Sequence, residues 1–447
     1  MKNAAAIVQS SLQLADKAGA EATEIYFTQH DSLAIEVRAG KLETSNRSCE
    51  RGLGIRVIKA GSFGYAFTSD LEQAAIAAAV EMAVQGAKYS SLDTEPGFPQ
   101  PADYDTALAQ FDPGIVETPL EEKLNLALAI EQAALAADHR ITMVERAVYE
   151  ENNSSVLLAN SHGLNVKYRL NFCGGYTWVV ADDNGGDVQT GSGLSYATQL
   201  AQIDPTAIGQ EAAQRAVQLL GAKPIKTQKL DLVLPPRVAA RFLGILATAL
   251  TAEAVQKGKS LFAGRLNEEI ASPSVTIVDD GSLPGAINTA PTDGEGVPSQ
   301  RTVLMSNGVL HGFLHNFYTA SRAGTVSTSN GVRGSFKSAP EVGPTNMFFS
   351  PGEIAEEELI ASVDKGLYVF DLMGAHTANP ISGDFSLGIT GLLIEGGRFT
   401  QPVRQVILAG NIQTMLQQVK AVASNLRFYL GFGSPTLLVE SLTISGD

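Results

Sequence analysis

The sequence predicts an α+β protein with a helix-flanked antiparallel sheet at the N-terminus, a middle α/β domain and a β-rich C-terminal region. Three observations lead to this fold class. Apolar and polar residues alternate through residues 24–67, as in strands that bury one face. Alanine-rich stretches of strong helix formers come before or after such strands. Beyond residue 229, many short apolar runs are separated by glycine turns.

The first predicted domain comprises residues 1–90. It begins with a helix over residues 3–18, and three strands follow as an antiparallel meander with tight turns at Gly40 and Gly61. A second helix, over residues 71–85, consists of alanine and other strong helix formers. We expect it to cover one face of the sheet.

A polar, proline-rich stretch over residues 91–119 is predicted to be a linker. The middle domain, residues 120–228, repeats the element order of the first. It has a helix at residues 120–137, several alternating strands, and a second helix at residues 205–220. Residue identity between the two regions is too weak to indicate a duplication.

The C-terminal domain is predicted to span residues 229–447. It opens with the strand DLVLP and an apolar helix over residues 237–256, and it continues as short strands. The pair Asn307-Gly308 lies between apolar runs and predicts a type I′ hairpin turn. This part of the chain is therefore expected to be mainly β.

Composition excludes several classes of protein. The 447-residue chain carries 47 acidic against 32 Lys and Arg residues, a formal charge of −15, which argues against direct binding to nucleic acid. No apolar stretch is long enough to span a bilayer, and polar residues interrupt the first twenty where an export signal would be apolar. The two cysteines, Cys49 and Cys173, form no paired motif. We expect a soluble, cytoplasmic protein without membrane attachment.

Several separated segments carry a resemblance to a known family. They read RGLGIRVIKAGSFGYAFTSD, TIVDDGSLPGAINTAPTDGEGVPSQRTVLMSNGVLHGFLHN, GPTNMFFSPGE, KGLYVFDLMGAHTANPISGDFS and GSPTLLVESLTISG. In content and order these segments resemble the TldD/PmbA family, and together they cover most of the chain. The resemblance implies the family fold and a role connected with peptide hydrolysis.

The family's zinc motif is absent from this sequence. Catalytic, TldD-type members carry HExxxH on the helix before VDDG and a cysteine near the C-terminus, so that imidazoles and a glutamate meet one metal. Counting back from SLFAG, the two histidine positions fall on Leu243 and Thr248, and the glutamate position falls on Gly244. The segment LGFGSPTLL has no cysteine. We therefore expect no zinc and no other cofactor.

The sequence gives weaker support for other kinds of catalytic site. His311 and His315 in HGFLH would lie about 13 Å apart on one strand, which is awkward for a single metal. Asp371, His376 and Asp384 border one glycine-rich turn region and could converge, although such residues commonly form turns. Neither a nucleophile elbow nor a nucleotide-binding loop is present.

The resemblance implies a non-catalytic, PmbA/TldE-like subunit that pairs with a TldD-like zinc peptidase and acts on unfolded or modified peptides. Two alternatives remain open: a homo-oligomer that binds peptides without cleaving them, and a hydrolase of non-zinc chemistry. Glycines and polar groups near the family-like hairpins are the candidates to line a peptide channel. These candidates are Asn316, Thr345, Asn346, Gly374, His376, Ser382 and Gly383.

Overall fold

A computed structural model describes residues 4–93 and 95–446 of the chain. Residue 3, the first position of the predicted N-terminal helix, lies outside the described residues. The α-helices are α1 (Ala4–Lys17), α2 (Gln73–Tyr89), α3 (Pro113–Glu117), α4 (Leu120–Ala137), α5 (Pro205–Val217), α6 (Pro236–Ala247), α7 (Ala252–Gln256), α8 (Phe317–Ala323), α9 (Glu356–Ala361) and α10 (Ile412–Gln417).

The strands of the first half are β1 (Ala22–Arg38), β2 (Lys41–Lys59), β3 (Ser62–Thr68), β4 (Ile141–Asn160), β5 (Asn165–Asp182) and β6 (Val188–Ala197). Those of the second half are β7 (Gln228–Leu234), β8 (Ile277–Asp280), β9 (Arg301–Ser306), β10 (Val309–Leu310), β11 (Gly331–Val332), β12 (Glu341–Val342), β13 (Met347–Phe349), β14 (Lys365–Met373), β15 (Asp384–Glu395), β16 (Arg398–Asn411), β17 (Val419–Val422), β18 (Arg427–Tyr429), β19 (Phe432–Ser434) and β20 (Leu437–Ser445). The α+β class is confirmed.

The first six strands form one sheet in the order β3-β2-β1-β4-β5-β6. The predicted glycine turns are present, because Ala39-Gly40 and Ala60-Gly61 both have positive φ at each central residue, as a type I′ turn requires. The segments predicted as separate first and middle domains each contribute three strands, and β1 pairs with β4 from Glu24 to Val37. They are thus two halves of one sheet.

Helices cover one face of this sheet. Ile25 and Phe27 of β1 pack with α1 and α2, whereas Ile35 and Val37 of the same strand pack with α4 and α5. These residues share odd positions and therefore one face. Tyr26 lies on the opposite face, where it packs with buried residues of β4 and β5 and with Phe336 of the C-terminal region. The C-terminal region therefore covers part of the face that the helices leave free.

The C-terminal region contains a closed ring of strands. The order β16-β15-β14-β7-β20-β17 is completed by additional pairing between β16 and β20. A second six-stranded sheet has the order β10-β9-β8-β13-β19-β18, and β11 pairs with β12. The largest apolar cluster of the chain joins these strands to α6.

The long helix predicted over residues 237–256 is interrupted. After α6 the chain forms a 3₁₀ turn, Thr248–Leu250, and α7 then begins behind Thr251. Thr251 has an extended backbone, and its side chain accepts a hydrogen bond from the Ala254 N–H, which caps α7. None of the helices in the described part of the chain is long and apolar enough to cross a membrane.

Candidate functional site

The three positions assigned to the zinc motif do not share a surface. Leu243 is completely buried in the core, whereas Thr248 is exposed at the start of the 3₁₀ turn. A Cβ placed on Gly244 would lie 3.8 Å from the ring of Phe432, in the segment where the family cysteine is missing. Leucine and glycine side chains provide no metal donor, so these positions do not fit a zinc ion. Within residues 4–93 and 95–446, no group of three or more His, Cys, Asp or Glu residues could hold a metal.

The exposed side of α6 carries arginines instead. Arg237, Arg241 and Gly244 are spaced as i, i+4 and i+7, which places them along one helix face. Arg241 forms an ion pair with Asp371. Arg237 donates two hydrogen bonds of 3.0 Å to Ser192, one to its carbonyl oxygen and one to its hydroxyl. The helix that resembles the family's zinc helix thus presents positive charge without donors for a metal.

A cavity of about 710 Å³ lies at the beginning of this helix. We call it the arginine cleft, because it is lined by Arg215 of α5, Arg237 of α6 and Arg427 of β18. Arg215 donates to the carbonyl oxygen of Phe370, and its Nη1 lies 4.0 Å from Glu211. The cleft therefore joins the helix layer of the first half to the strands of the second.

A second cavity, of about 520 Å³, lies between the N-terminal sheet and loops of the C-terminal region. Of the predicted channel residues, Thr345 lines this cavity. Its walls combine aromatic with charged and hydroxyl side chains, among them Tyr26, Tyr168, Asp293, Arg333, Phe336 and Thr345.

A buried polar cluster lies beneath Thr345. The carboxylate of Asp279 accepts hydrogen bonds from the Asn330 side chain at 2.7 Å and from both the backbone N–H and the hydroxyl of Thr345 at 2.8 Å. Burial raises the pKa of Asp279 to about 6 in spite of these bonds. Asp279 and Asp280 are the last two residues of the buried strand β8.

Two of the predicted channel residues are internal. Asn346 is fully buried and donates to the Asp280 carbonyl oxygen and to the Thr289 hydroxyl. Asn316 is 4% exposed and caps α8 by accepting from the Thr319 N–H. In this structure their side chains position loops and offer no surface to a peptide.

A buried charge network ties the N-terminal sheet to the C-terminal region. Arg56 lies 3.1 Å from Glu24 and 2.9 Å from Glu295, and Arg333 also pairs with Glu24. None of the four side chains is more than 8% exposed. Burial, with a contribution from the nearby charge of Glu295, raises the pKa of Asp293 to about 7. The network spans strands β1 and β2 and the loops that follow β8 and β11.

The remaining channel candidates lie on the loop between β14 and β15, in a different sheet from Thr345. His376 and Ser382 are exposed there, and Gly374 and Gly383 have positive φ of 82° and 79°. The Ser382 hydroxyl donates to Asp384 at 2.7 Å. The structure thus places the seven candidates in two separate groups.

Asp371 and Asp384, two residues of the alternative catalytic group, lie far apart. Asp371 pairs with Thr390 across β14 and β15, and Asp384 precedes Thr390 by six residues, a separation of about 20 Å along the strand. The Asp384 carboxylate accepts hydrogen bonds from Asn411 and from Ser382, which lower its pKa. Asp371 and Asp384 therefore do not meet in one site.

The predicted hairpin at Asn307-Gly308 is confirmed, with positive φ at both residues. Its second strand ends at Leu310, so His311 and His315 do not lie on one strand as the sequence interpretation assumed. The His311 ring lies 2.6 Å from the Ser306 hydroxyl, whereas burial lowers the pKa of His315. The two rings are thus held in different local environments.

Sequence reasoning missed the arginine cleft. The spacing of Arg237 and Arg241, four residues apart on a predicted helix, indicates that they share one charged face. Nothing in the sequence connects these residues to Arg215 or Arg427, which line the same cleft only because the fold brings α5, α6 and β18 together around it.

The chain matches three family models. Residues 227–446 match the PmbA/TldA metallopeptidase C-terminal domain, residues 114–220 the central domain, and residues 23–87 domain 1. Similar proteins include Metalloprotease PmbA of Escherichia coli O157:H7, 26% identical over 98% of this chain and 95% of that protein. A Metalloprotease TldD homolog of Haemophilus influenzae is 28% identical over 95% of this chain and 92% of its own length.

Solved structures share the whole fold. A Thermotoga maritima protein, whose description links it to modulation of a DNA gyrase, superposes with a TM-score of 0.91 at 27% identity and covers 99% of this chain and 100% of its own. TldE from Thermococcus kodakarensis gives a TM-score of 0.88 at 25% identity and covers 98% of this chain and 100% of its own.

Proposed function

This chain belongs to the TldD/PmbA family, and we propose that it is a subunit of a peptidase complex that pairs with a TldD-like zinc subunit and contributes no catalytic metal of its own. In this proposal the partner subunit cleaves unfolded or modified peptides. The present chain completes the assembly and helps to hold the peptide.

The observation that carries the proposal is the side-chain content of α6. Hydrolysis of an amide by a zinc peptidase needs a metal-bound water, and therefore two or more ligands that converge on one ion together with a glutamate base. Leu243 is directed into the core and Gly244 has no side chain, so the corresponding helix here offers neither. The names of the relatives support a peptidase-related role, since they include both TldD homologues and TldE.

Cleavage of an unfolded peptide tests the proposal with three samples: this chain alone, the TldD-like chain of the same organism alone, and their mixture. We expect turnover by the mixture to exceed that of either chain by at least about tenfold, and a chelator to abolish it, because the zinc subunit supplies the activated water. Copurification of the two chains from the native host would be the accompanying structural result.

Two outcomes would contradict the proposal. One is a mixture that is no faster than the TldD-like chain alone. The other is chelator-insensitive cleavage by this chain alone that is lost in Asp371→Asn or Asp384→Asn, which would establish a hydrolase of non-zinc chemistry. Light scattering of the isolated chain and of the mixture distinguishes the heteromeric complex from a homo-oligomer.

A further inference from the structure

The side chains that line the arginine cleft include more cations than anions. Its three arginines face two lining glutamates, Glu211 and Glu356, in a chain whose formal charge is −15. Glu356 already accepts hydrogen bonds from the Tyr368 and Thr436 hydroxyls and from the Asn425 amide. The lining residues therefore retain a surplus of one positive charge.

The individual guanidinium groups support this count. In the described part of the chain, no carboxylate lies within 4.0 Å of Arg237 or Arg427 in an ion pair. The partners of Arg237 are the neutral groups of Ser192. Burial and the neighbouring charge of Arg215 lower the pKa of Arg237, and the more distant charges of Asp371 and Glu211 only partly oppose this shift.

Aromatic side chains form the remaining walls. Tyr368 and Phe370 of β14 pack edge to face with ring centroids 5.6 Å apart, and Tyr429 of β18 also lines the cleft. The guanidinium of Arg215 lies over the Phe370 ring at 6.0 Å. A charge placed among such rings is only partly screened by water, so its attraction to an arginine is stronger than at an open surface.

We propose that the arginine cleft binds a carboxylate group of a peptide, either its C-terminal carboxylate or an acidic side chain. The planar guanidinium fork matches a carboxylate with two parallel hydrogen bonds. A surplus of one positive charge fits this monoanion better than a dianionic phosphate. The inference rests on the proposed function, because it takes the ligand to be a peptide.

The position of the cleft fits a peptide that continues along α6. Gly244 follows Arg237 by seven residues on the same helix face, a rise of about 10 Å. An extended peptide covers this distance in about three residues. A carboxylate held at Arg237 would therefore leave the preceding or following residues over the helix face that corresponds to the family's zinc helix.

Peptide binding to the full-length chain tests the proposal. Fluorescence anisotropy would compare one labelled unfolded peptide with its C-terminal amide, and separately with a version in which internal glutamates are replaced by glutamine. The variants are Arg237→Gln and Arg427→Glu, and Arg301→Gln is a matched control because Arg301 is an exposed arginine outside the cleft. Arg427→Glu changes an exposed residue and keeps the test valid if Arg237→Gln misfolds.

We expect Arg237→Gln and Arg427→Glu to weaken binding of the peptide that carries the recognised carboxylate about 10- to 100-fold, as for loss of a charge-assisted hydrogen bond. The affinity for the neutral peptide, in which that carboxylate is replaced by an amide, should not change. Arg301→Gln should match the parent. Added salt should weaken carboxylate binding and leave the neutral peptide unaffected. Sensitivity to C-terminal amidation identifies the terminal carboxylate, and sensitivity to glutamine replacement identifies an acidic side chain.

Equal binding of the acidic and neutral peptides, or unchanged binding by both cleft variants, would overturn the inference while leaving the proposed function intact. If no peptide binds in either form, although the mixture with the zinc subunit still cleaves faster, the inference fails and the subunit role stands. If the mixture also shows no gain, both fail.

Discussion

Neutralising Glu295 tests whether the buried charge network holds the two halves of the chain together. Glu295→Gln preserves the size of the side chain and removes one negative charge. At pH 5.5 the network contains Arg56 and Arg333 against Glu24 and Glu295, with Asp293 protonated because its pKa is raised to about 7. The substitution therefore leaves one buried positive charge without a partner.

The expected cost follows from this burial. Breaking a buried ion pair by removing one partner typically costs about 3–5 kcal/mol, because the remaining charge has lost both its attraction and its water. We expect about 3 kcal/mol at pH 5.5. We expect the lower end of this range because the charge of Glu295 contributes to the raised pKa of Asp293. Removal of the Glu295 charge therefore allows Asp293 to ionise in part and to replace the lost negative charge.

At pH 8 the loss should be smaller. There Asp293 is ionised in the parent, so the network already carries an excess negative charge that the substitution removes. The free energy of unfolding would be measured by urea titration at both pH values, followed by circular dichroism and by fluorescence of the single tryptophan, Trp178. Coincidence of the two signals establishes that unfolding is two-state.

Glu440→Gln is the matched control. Glu440 pairs with Lys420 at 2.6 Å, but their side chains are 46% and 55% exposed, and such surface pairs contribute little to stability because water screens them. If Glu295→Gln destabilises the protein no more than Glu440→Gln at pH 5.5, or more at pH 8 than at pH 5.5, the electrostatic reasoning is refuted.

Three further predictions follow from other features. Elemental analysis of the untagged chain should find no stoichiometric zinc, and about one chelation-resistant zinc per chain would contradict the account of α6. Because the pKa of Asp293 is raised in the folded state, its contribution to stability should decrease as pH rises from about 4 to about 7, by up to about 1.4 kcal/mol per pH unit. Urea titrations of Asp293→Asn should lack this pH dependence. A pH profile equal to that of the parent would contradict the prediction. Gly383→Ala should cost more than Gly374→Ala, although both positions have positive φ, worth about 1–2 kcal/mol of strain. The added Cβ would lie 2.9 Å from the Ile412 side chain at Gly383, whereas at Gly374 its nearest neighbour would be the Thr377 hydroxyl at 3.9 Å, an ordinary contact. Equal losses on urea unfolding would refute this.

Much of the secondary structure could be predicted from the sequence because it depends on residues that are close together in the chain. The meander turns and the hairpin at Asn307-Gly308 depend on residues that tolerate positive φ, and those residues are adjacent in the sequence. The helices follow from stretches of strong helix formers. The helix after β7 was predicted as one piece, and its interruption was missed because Thr251 caps α7 within residues 245–256, which contain no proline or glycine.

The candidate site could be predicted from the sequence only where the type of a residue decides its chemistry. Leu243 and Gly244 carry no metal-binding atom in their side chains, whatever the packing around them. For the channel candidates, polarity alone was misleading, since a buried asparagine such as Asn346 and a cavity-lining threonine such as Thr345 have similar sequence surroundings. Only the burial of each side chain separates loop-positioning residues from exposed ones.

The sequence by itself therefore determined the element types, the tight turns, the negative charge and the absence of a metal-binding atom in the side chains of Leu243 and Gly244, because each depends on residue identity or on near neighbours. The tertiary structure decided the pairing of β1 with β4, the closure of β16 onto β20 and the approach of Arg215, Arg237 and Arg427. A strand edge can hydrogen-bond to any other edge, so its partner is selected by the burial of whole faces across distant segments. The same packing sets the pKa of Asp279 and Asp293, because burial depends on everything that surrounds a carboxylate.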